Sequence, residues 1–346
     1  MGMHVGIIGG GNISQTHARA AREVAGLQIA AFCGANPEKV ARMAAEHGGA
    51  CYTDFEQFLA HRPMDFVAIG SPSGRHAEQG IAAARRGLHV LSEKPLDITS
   101  ARADALLAAA NDAGVKLGVF FQDRFKADLV RVKNWVDQGL LGKPIIADAR
   151  VKWYRPENYY TQSRWRGTLA LDGGGALINQ AIHTADLLLW IFGDVAAVQA
   201  IRRTALHPIE AEDTLAAALE FTSGAIGTLQ ATTSVYPGYP RRVEFTGSEG
   251  TVIIEHDRLL AADLRHPPGE ARGTGDDQNA SASSATVSDV RGHRAVLEDF
   301  MHAIESNGKP RCSGTEARRS VALVEAIYAA CASGQRVELK SAAQRP

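Results

Sequence analysis

The sequence predicts an α/β protein of two domains. Residues 1–122 form a doubly wound, parallel-sheet domain, and residues 123–346 form an α/β domain with a large open, mainly antiparallel sheet. Three observations predict this. The first third alternates short, continuous apolar runs with alanine-rich helical stretches, the pattern of a parallel sheet covered on both faces. Beyond Gln122, strand-like segments instead follow one another across tight glycine turns. The 346 residues also exceed what a single core ordinarily holds.

The elements follow in order. His4–Ile8 reads as a buried strand and Asn12–Val24 as the helix after it. Leu27–Cys33, Phe66–Ile69, His89–Ser92 and Val115–Phe121 read as further strands. Between them, Pro37–His47, Ala77–Arg86 and Ser100–Ala113 read as crossover helices. Asp128–Gln138 is amphipathic and stops at Gly139. Ile145–Tyr154 reads as a long strand and Ala176–Phe192 as a helix. Five strands then follow: Ala197–Arg203, Thr214–Phe221, Ala225–Ser234, Arg241–Gly247 and Thr251–Glu255. Turns at Ser223-Gly224 and Ser248–Gly250 make hairpins of two pairs. The stretch His266–Val290, rich in Gly, Pro, Ser and Asp, reads as an exposed loop. His293–Ser306 and Glu316–Ala332 close the chain as helices.

Composition excludes several classes. A formal net charge of -1 argues against a nucleic-acid or anionic-membrane surface. The sequence has no apolar run long enough for a membrane span, and its start lacks a signal peptide, so a cytoplasmic protein is expected. Cys33, Cys51, Cys312 and Cys331 form no CxxC pair and read as small buried residues. No metal site is expected.

The chemistry begins at Val5–Ser14, where a strand, a Gly-x-Gly-x-x-small turn and a helix start occur together. Gly9 permits the turn, and Gly11 lets the backbone approach a pyrophosphate. Asn12 and Ile13 open the helix whose N-terminus receives it, and Ser14 takes the small third position. This is the signature of a Rossmann domain binding a dinucleotide. The second strand ends in Gly34-Ala35-Asn36, with neither the carboxylate that reads a ribose diol nor a clear arginine for a 2′-phosphate. Lys39 and Arg42 either reach such a phosphate or lie on the helix surface, so NAD and NADP both stay open. Ser71, Pro72 and His76 follow the strand Phe66–Ile69 on the cofactor edge.

Leu91-Ser92-Glu93-Lys94-Pro95 ends another strand on that edge. Together with the Gly9 turn, Ser71-Pro72-(x)3-His76, Phe121-Gln122-Asp123-Arg124-Phe125, Gly173-Gly174-Gly175-(x)7-His183 and Gly247–Thr251, it resembles the glucose–fructose oxidoreductase, inositol dehydrogenase and MocA family. The similarity runs over nearly the whole chain. It implies hydride transfer between a sugar or cyclitol carbon and a nicotinamide. It places the active-site lysine on Lys94 and the catalytic histidine on His183, with Glu93 beside the cofactor. The family often has aspartate four residues before the histidine, where this chain has Asn179. The pattern Asn179-Gln180-x-x-His183 resembles a subset acting on sugars and nucleotide sugars, with oxidation at C3.

The residue types suit these roles. Histidine titrates near neutrality and can take a hydroxyl proton as hydride leaves. Lys94 can stabilise alkoxide character. Asn179 lies one helical turn from His183 and can orient hydroxyls through its amide. Asp186 either orients His183 or pairs elsewhere, and Arg124 either lines the substrate site or makes an interdomain ion pair. Tyr154, Trp165 and Arg166 offer aromatic planes and a guanidinium fork to a sugar or an anion, or else order their own loop. The expected enzyme acts on a carbohydrate and assembles as a homodimer or homotetramer through the second sheet. An inositol dehydrogenase and an NAD-using glycosidase that oxidises transiently and eliminates are the alternatives.

Overall fold

The computed structural model describes residues 2–267 and 289–339, which include only the ends of the expected loop His266–Val290. They fall into two compact units, residues 2–122 with 289–318, and residues 123–267 with 319–339.

The first unit is a six-stranded sheet. In chain order its elements are β1 (Met3–Ile8), α1 (Asn12–Arg22), β2 (Leu27–Cys33), α2 (Pro37–His47), β3 (Ala50–Tyr52), α3 (Phe55–Ala60), β4 (Phe66–Ile69), α4 (His76–Arg85), β5 (His89–Ser92), α5 (Ser100–Asp112) and β6 (Leu117–Val119). The strand order is β3-β2-β1-β4-β5-β6, and every pairing is parallel. The order therefore reverses between β1 and β4, the switch point where ligands bind in such sheets. Strand interiors such as Val5, Ile7, Phe66 and Val90 are fully buried, as a sheet covered on both faces requires. The short β3 and α3 lack a periodic apolar pattern, and the sequence reading passed over them.

The helix Arg291–Glu305 also belongs to this unit, although the sequence boundary assigned it to the second domain. Its apolar face, Val296, Leu297 and Phe300, is buried, and Phe300 meets Phe66 edge-on at 5.5 Å. A boundary drawn from sequence cannot see that the chain returns to the first core.

The second unit contains α6 (Ala127–Asp137), β7 (Pro144–Lys152), α7 (Asn158–Thr161) and α8 (Ile182–Ile191). Its strands continue with β8 (Val195–Arg203), β9 (Thr214–Phe221), β10 (Ile226–Thr232), β11 (Arg242–Gly247), β12 (Gly250–Glu255) and β13 (Arg258–Leu264). With α9 the helix Arg291–Glu305 described above, α10 (Gly314–Ser333) and β14 (Val337–Glu338) complete the described chain. The eight strands order as β13-β12-β11-β7-β10-β9-β8-β14. The β9–β10 and β11–β12 hairpins are antiparallel, while β7 and β10 run parallel, so the sheet is mixed. Strict alternation in β9 and β10 buries Leu215, Leu219, Leu229 and Ala231 on one face. The other face exposes Ile201, Ala216, Ala218 and Ile226. Of the cysteines, Cys33 and Cys312 are buried, but Cys51 is exposed and Cys331 only half-buried.

Candidate active site

The first unit presents the dinucleotide turn at its sheet edge. Gly9 has φ 120, and a Cβ there would strike the Gly70 carbonyl at 2.6 Å, so only glycine fits. Ser14 is small enough to lie against the backbone of β4, and its hydroxyl donates to the Gly70 carbonyl at 3.4 Å. A Cβ on Gly11 would point into open space, and α1 begins with neither a side-chain cap nor an acidic residue in its first turn. A helix start left this way has N–H groups and a positive dipole end for an anion, which fits a pyrophosphate. Asn12 is exposed and Ile13 half-buried at that start. At the end of β2, the Asn36 carboxamide caps α2 through Lys39 N–H at 2.9 Å. The Lys39 stem lies beside Gly10, close to the turn.

Two expected cofactor contacts turn inward instead. His76 is buried, with Nδ1 2.7 Å from the Pro95 carbonyl and Nε2 3.0 Å from that of Ser71. It ties the Ser71-Pro72 loop to the Lys94-Pro95 loop and has no ring nitrogen to spare for a ligand. Glu93 is buried as well. Its Oε1 accepts from His17 Nε2 at 3.0 Å, and its Oε2 accepts from Lys94 N–H at 3.1 Å. Burial alone would raise its pKa, but His17 and His293 outweigh this and hold it well below the usual range. Burial lowers the pKa of His17 despite Glu93. His17, Glu93 and His293 have donor atoms within 4.8 Å of one another, a spacing that metal ligands share. His17 Nδ1, however, is buried without an acceptor, whereas a ligating imidazole ordinarily donates its far N–H to one. The trio is better explained as a hydrogen-bonded clamp beneath Lys94. The sequence reading missed it because its members lie 76 and 200 residues apart.

The second unit builds the region around His183 from the glycine run. Gly174 has φ 155, and a Cβ there would run into the Tyr328 hydroxyl; a Cβ on Gly175 would run into the Glu212 carbonyl. Glu212 then serves the helix start from both ends. Its carboxylate accepts Gly175 N–H at 3.2 Å and Leu177 N–H at 2.9 Å, its carbonyl accepts Ala176 N–H at 2.9 Å, and the Tyr328 hydroxyl donates to the carboxylate at 3.0 Å. The expected single helix is in fact a π-helical turn, Ala176–Ala181, running into α8. Such wide turns recur at functional sites. A separation of four residues falls between an α turn and the wider π turn, so half-buried Asn179 and His183 keep a common face.

A polar network holds this face. Asn179 Nδ2 donates to Asp172 Oδ1 at 2.6 Å, and Gln180 Nε2 donates to Asn179 Oδ1 at 2.9 Å and to the Tyr159 hydroxyl at 2.8 Å. Arg155 donates to Gln180 Oε1 at 2.9 Å, and the Arg166 guanidinium stacks on Tyr159 at 4.1 Å. Arg166 therefore connects to Asn179 through Tyr159 and Gln180. Trp165 lies 5.6 Å from that guanidinium. Tyr154 instead packs edge-on against Tyr236 at 5.3 Å.

Arg124 corrects an expectation. It is only 1% exposed, and it grips Asp186 with two donors, so its guanidinium is committed to an internal ion pair. Asp186 is thereby committed to Arg124 and to the Ser320 hydroxyl at 3.1 Å and does not orient His183. A carboxylate that the sequence reading passed over stands beside His183. Asp123 Oδ2 lies 3.9 Å from His183 Nδ1. In the sequence Asp123 stands next to Arg124, 60 residues before His183, and only the fold brings it to the histidine. No helix among the described residues is long and apolar enough to cross a membrane.

Comparison with known proteins agrees with this layout. Residues 3–121 match the oxidoreductase family with an NAD-binding Rossmann fold, and residues 129–253 match the GFO/IDH/MocA C-terminal domain. The WlbA dehydrogenase of Bordetella pertussis, solved in complex with NADH and UDP-GlcNAcA, superposes with TM-score 0.90 at 32% identity over 98% of both chains. The 1,5-anhydro-D-fructose reductase of Ensifer adhaerens is 28% identical over 97% of this chain and 98% of its own. The D-apiose dehydrogenase of Paraburkholderia graminis is 27% identical over 97% and 89%. A dinucleotide-binding turn, a lysine at the sheet edge and a histidine on a glycine-led helix thus occur in one chain with these likenesses, and the protein belongs to the GFO/IDH/MocA family of NAD-binding oxidoreductases.

Proposed function

We propose that this dehydrogenase oxidises a ring hydroxyl, at C3, of a glycoside or nucleotide sugar. When bound, the nicotinamide dinucleotide supplies hydride acceptance; Gly9, Gly11, Asn12, Ile13, Ser71 and Pro72 would hold it. Lys94 donates a hydrogen bond to the reacting oxygen and stabilises its developing negative charge. His183 takes the hydroxyl proton. Asn179, held by Asp172 and Gln180, orients a neighbouring hydroxyl.

The observation that carries the sugar reading is the polar network linking Asn179 to Gln180, Tyr159 and Arg166. Arg166 Nε is buried without a hydrogen-bond partner, a donor suited to an anionic substituent on the sugar. The likeness to a dehydrogenase solved with a nucleotide sugar points the same way. An uncharged cyclitol has no use for that cation. The outer face of the second sheet, where Ile201 (67% exposed), Ile226 (57% exposed), Ala216 and Ala218 lie among Gln199, Thr228 and Gln230, is proposed to pair with a second copy.

The test is a panel of glycosides, nucleotide sugars and inositols, each with NAD and NADP, followed by reduced-cofactor absorbance. Net cofactor reduction with a nucleotide sugar supports the reading. Activity confined to inositols, or release of an aglycone without net reduction, refutes it. His183→Ala should lose turnover by about 10²–10⁴-fold while keeping cofactor affinity.

A further inference from the structure

Asp123 has no part in the roles assigned so far, yet three other charges of the second unit hold it in place. Its carboxylate receives Arg241 Nη1 at 2.7 Å and Lys126 Nζ at 2.8 Å. Both cations also bind Asp257, Lys126 at 2.6 Å. Lys126 precedes α6, Arg241 precedes β11, and Asp257 lies in the β12–β13 turn with φ 65. Two carboxylates and two cations thus make a largely buried, neutral lattice fixed to three places in the fold. Burial alone would raise the pKa of Asp123, but Arg241, Lys126 and His183 outweigh it, so the carboxylate stays ionised.

We propose that Asp123 is a positioning residue for His183. It favours the tautomer with the proton on Nδ1, leaves the Nε2 lone pair for the substrate, and stabilises the imidazolium formed when the hydroxyl proton arrives. Nδ1 keeps its proton and Asp123 keeps its charge throughout. The 3.9 Å separation exceeds a hydrogen bond, and such pairs commonly tighten when a substrate binds. The inference rests on the reading of His183 as the base.

Two other positions near His183 in the chain are engaged elsewhere. Asn179, where the family often has a carboxylate, carries no charge and is bound to Asp172 and Gln180. Asp186, three residues beyond His183, is neutralised by Arg124. Arg241 and Lys126 both bind the Asp123 carboxylate, and Arg241 shares the oxygen nearest His183, which moderates the effect without cancelling it.

The test uses the full chain with ring-15N histidine. His183 resonances, assigned by their loss in His183→Gln, are followed over roughly pH 5–9. In wild type the Nδ1–H tautomer should dominate. In Asp123→Asn the titration midpoint should fall by about one unit and the Nε2–H tautomer should gain population. The acid limb of kcat/KM should move to lower pH by the same amount. Asp123→Asn/Lys126→Met restores charge balance should the single variant fold poorly, and it should show the same tautomer change with a smaller fall in midpoint, because a cation is lost with the carboxylate. An unchanged tautomer and midpoint in a folded variant, with His183→Gln inactive, overturns the role of Asp123 alone. Full turnover in His183→Gln overturns the base assignment and, with it, the catalytic meaning of the pair.

Discussion

Arg124 holds Asp186 at two points, Nε to Oδ2 at 2.8 Å and Nη2 to Oδ1 at 2.7 Å, with both side chains withdrawn from solvent. Arg124→Ala leaves a buried carboxylate without its counter-charge and should cost about 3–5 kcal/mol. Arg124→Met/Asp186→Leu, which removes both charges, should cost much less. Urea unfolding measures both. KM for the substrate should hold in the folded fraction of either variant; a selective rise in KM would return Arg124 to the substrate site.

The glycine run before the π-helical turn is a steric requirement. Gly175→Ala would place a methyl on the Glu212 carbonyl, and Gly174→Ala would place one on the Tyr328 hydroxyl. Each should destabilise by about 1–3 kcal/mol and lower kcat by displacing the helix that carries Asn179 and His183. Tyr328→Phe, which removes the hydroxyl, should recover part of the Gly174→Ala loss in thermal melts.

The clamp beneath Lys94 makes the fold sensitive to acid. Burial keeps the folded-state pKa of His17 below its ordinary 6.5, so the unfolded chain binds a proton that the folded chain refuses. Stability is therefore at its full value above about pH 6.5 and declines as pH falls toward the folded-state pKa. Glu93, with its pKa held well below 4.5, adds a second loss at lower pH as it is protonated. His17→Gln, which retains a donor for Glu93, should flatten the pH dependence of the melting temperature between about pH 7 and 5. Some slope should persist, because burial also lowers the pKa values of His47 and His89. An unaltered slope would remove His17 from this account.

The outer face of the second sheet offers a test of assembly. Ala218→Arg sets a charge among Ile201, Ala216 and Ile226 without touching the buried face. Light scattering should show the wild type as a dimer or larger and the variant shifted toward monomer. A wild type that is monomeric at micromolar concentration would refute pairing through this face.

Much of the first unit was legible because its signals are local. The strands Leu27–Cys33, Phe66–Ile69 and His89–Ser92 and the helix Pro37–His47 have the very bounds read from the sequence. Each is a short apolar run or an amphipathic stretch closed by its own punctuation. The Gly9 turn, Lys94 after its strand and His183 after its glycine run were likewise found from neighbours in the chain. By itself, the sequence determined the two kinds of sheet and the dinucleotide turn, and it singled out the side chains proposed to carry the chemistry. Only the tertiary structure decided the partners. It buried Arg124 on Asp186, turned Glu93 and His76 inward, widened the helix start at Ala176 and set Asp123 beside His183. The physical reason is range. Backbone propensity and hydrophobic period act over a few residues, whereas a buried charge takes whichever counter-charge the packed core brings to it. For Arg124 that counter-charge lies 62 residues away, and for Asp123 one of them lies 118 residues away.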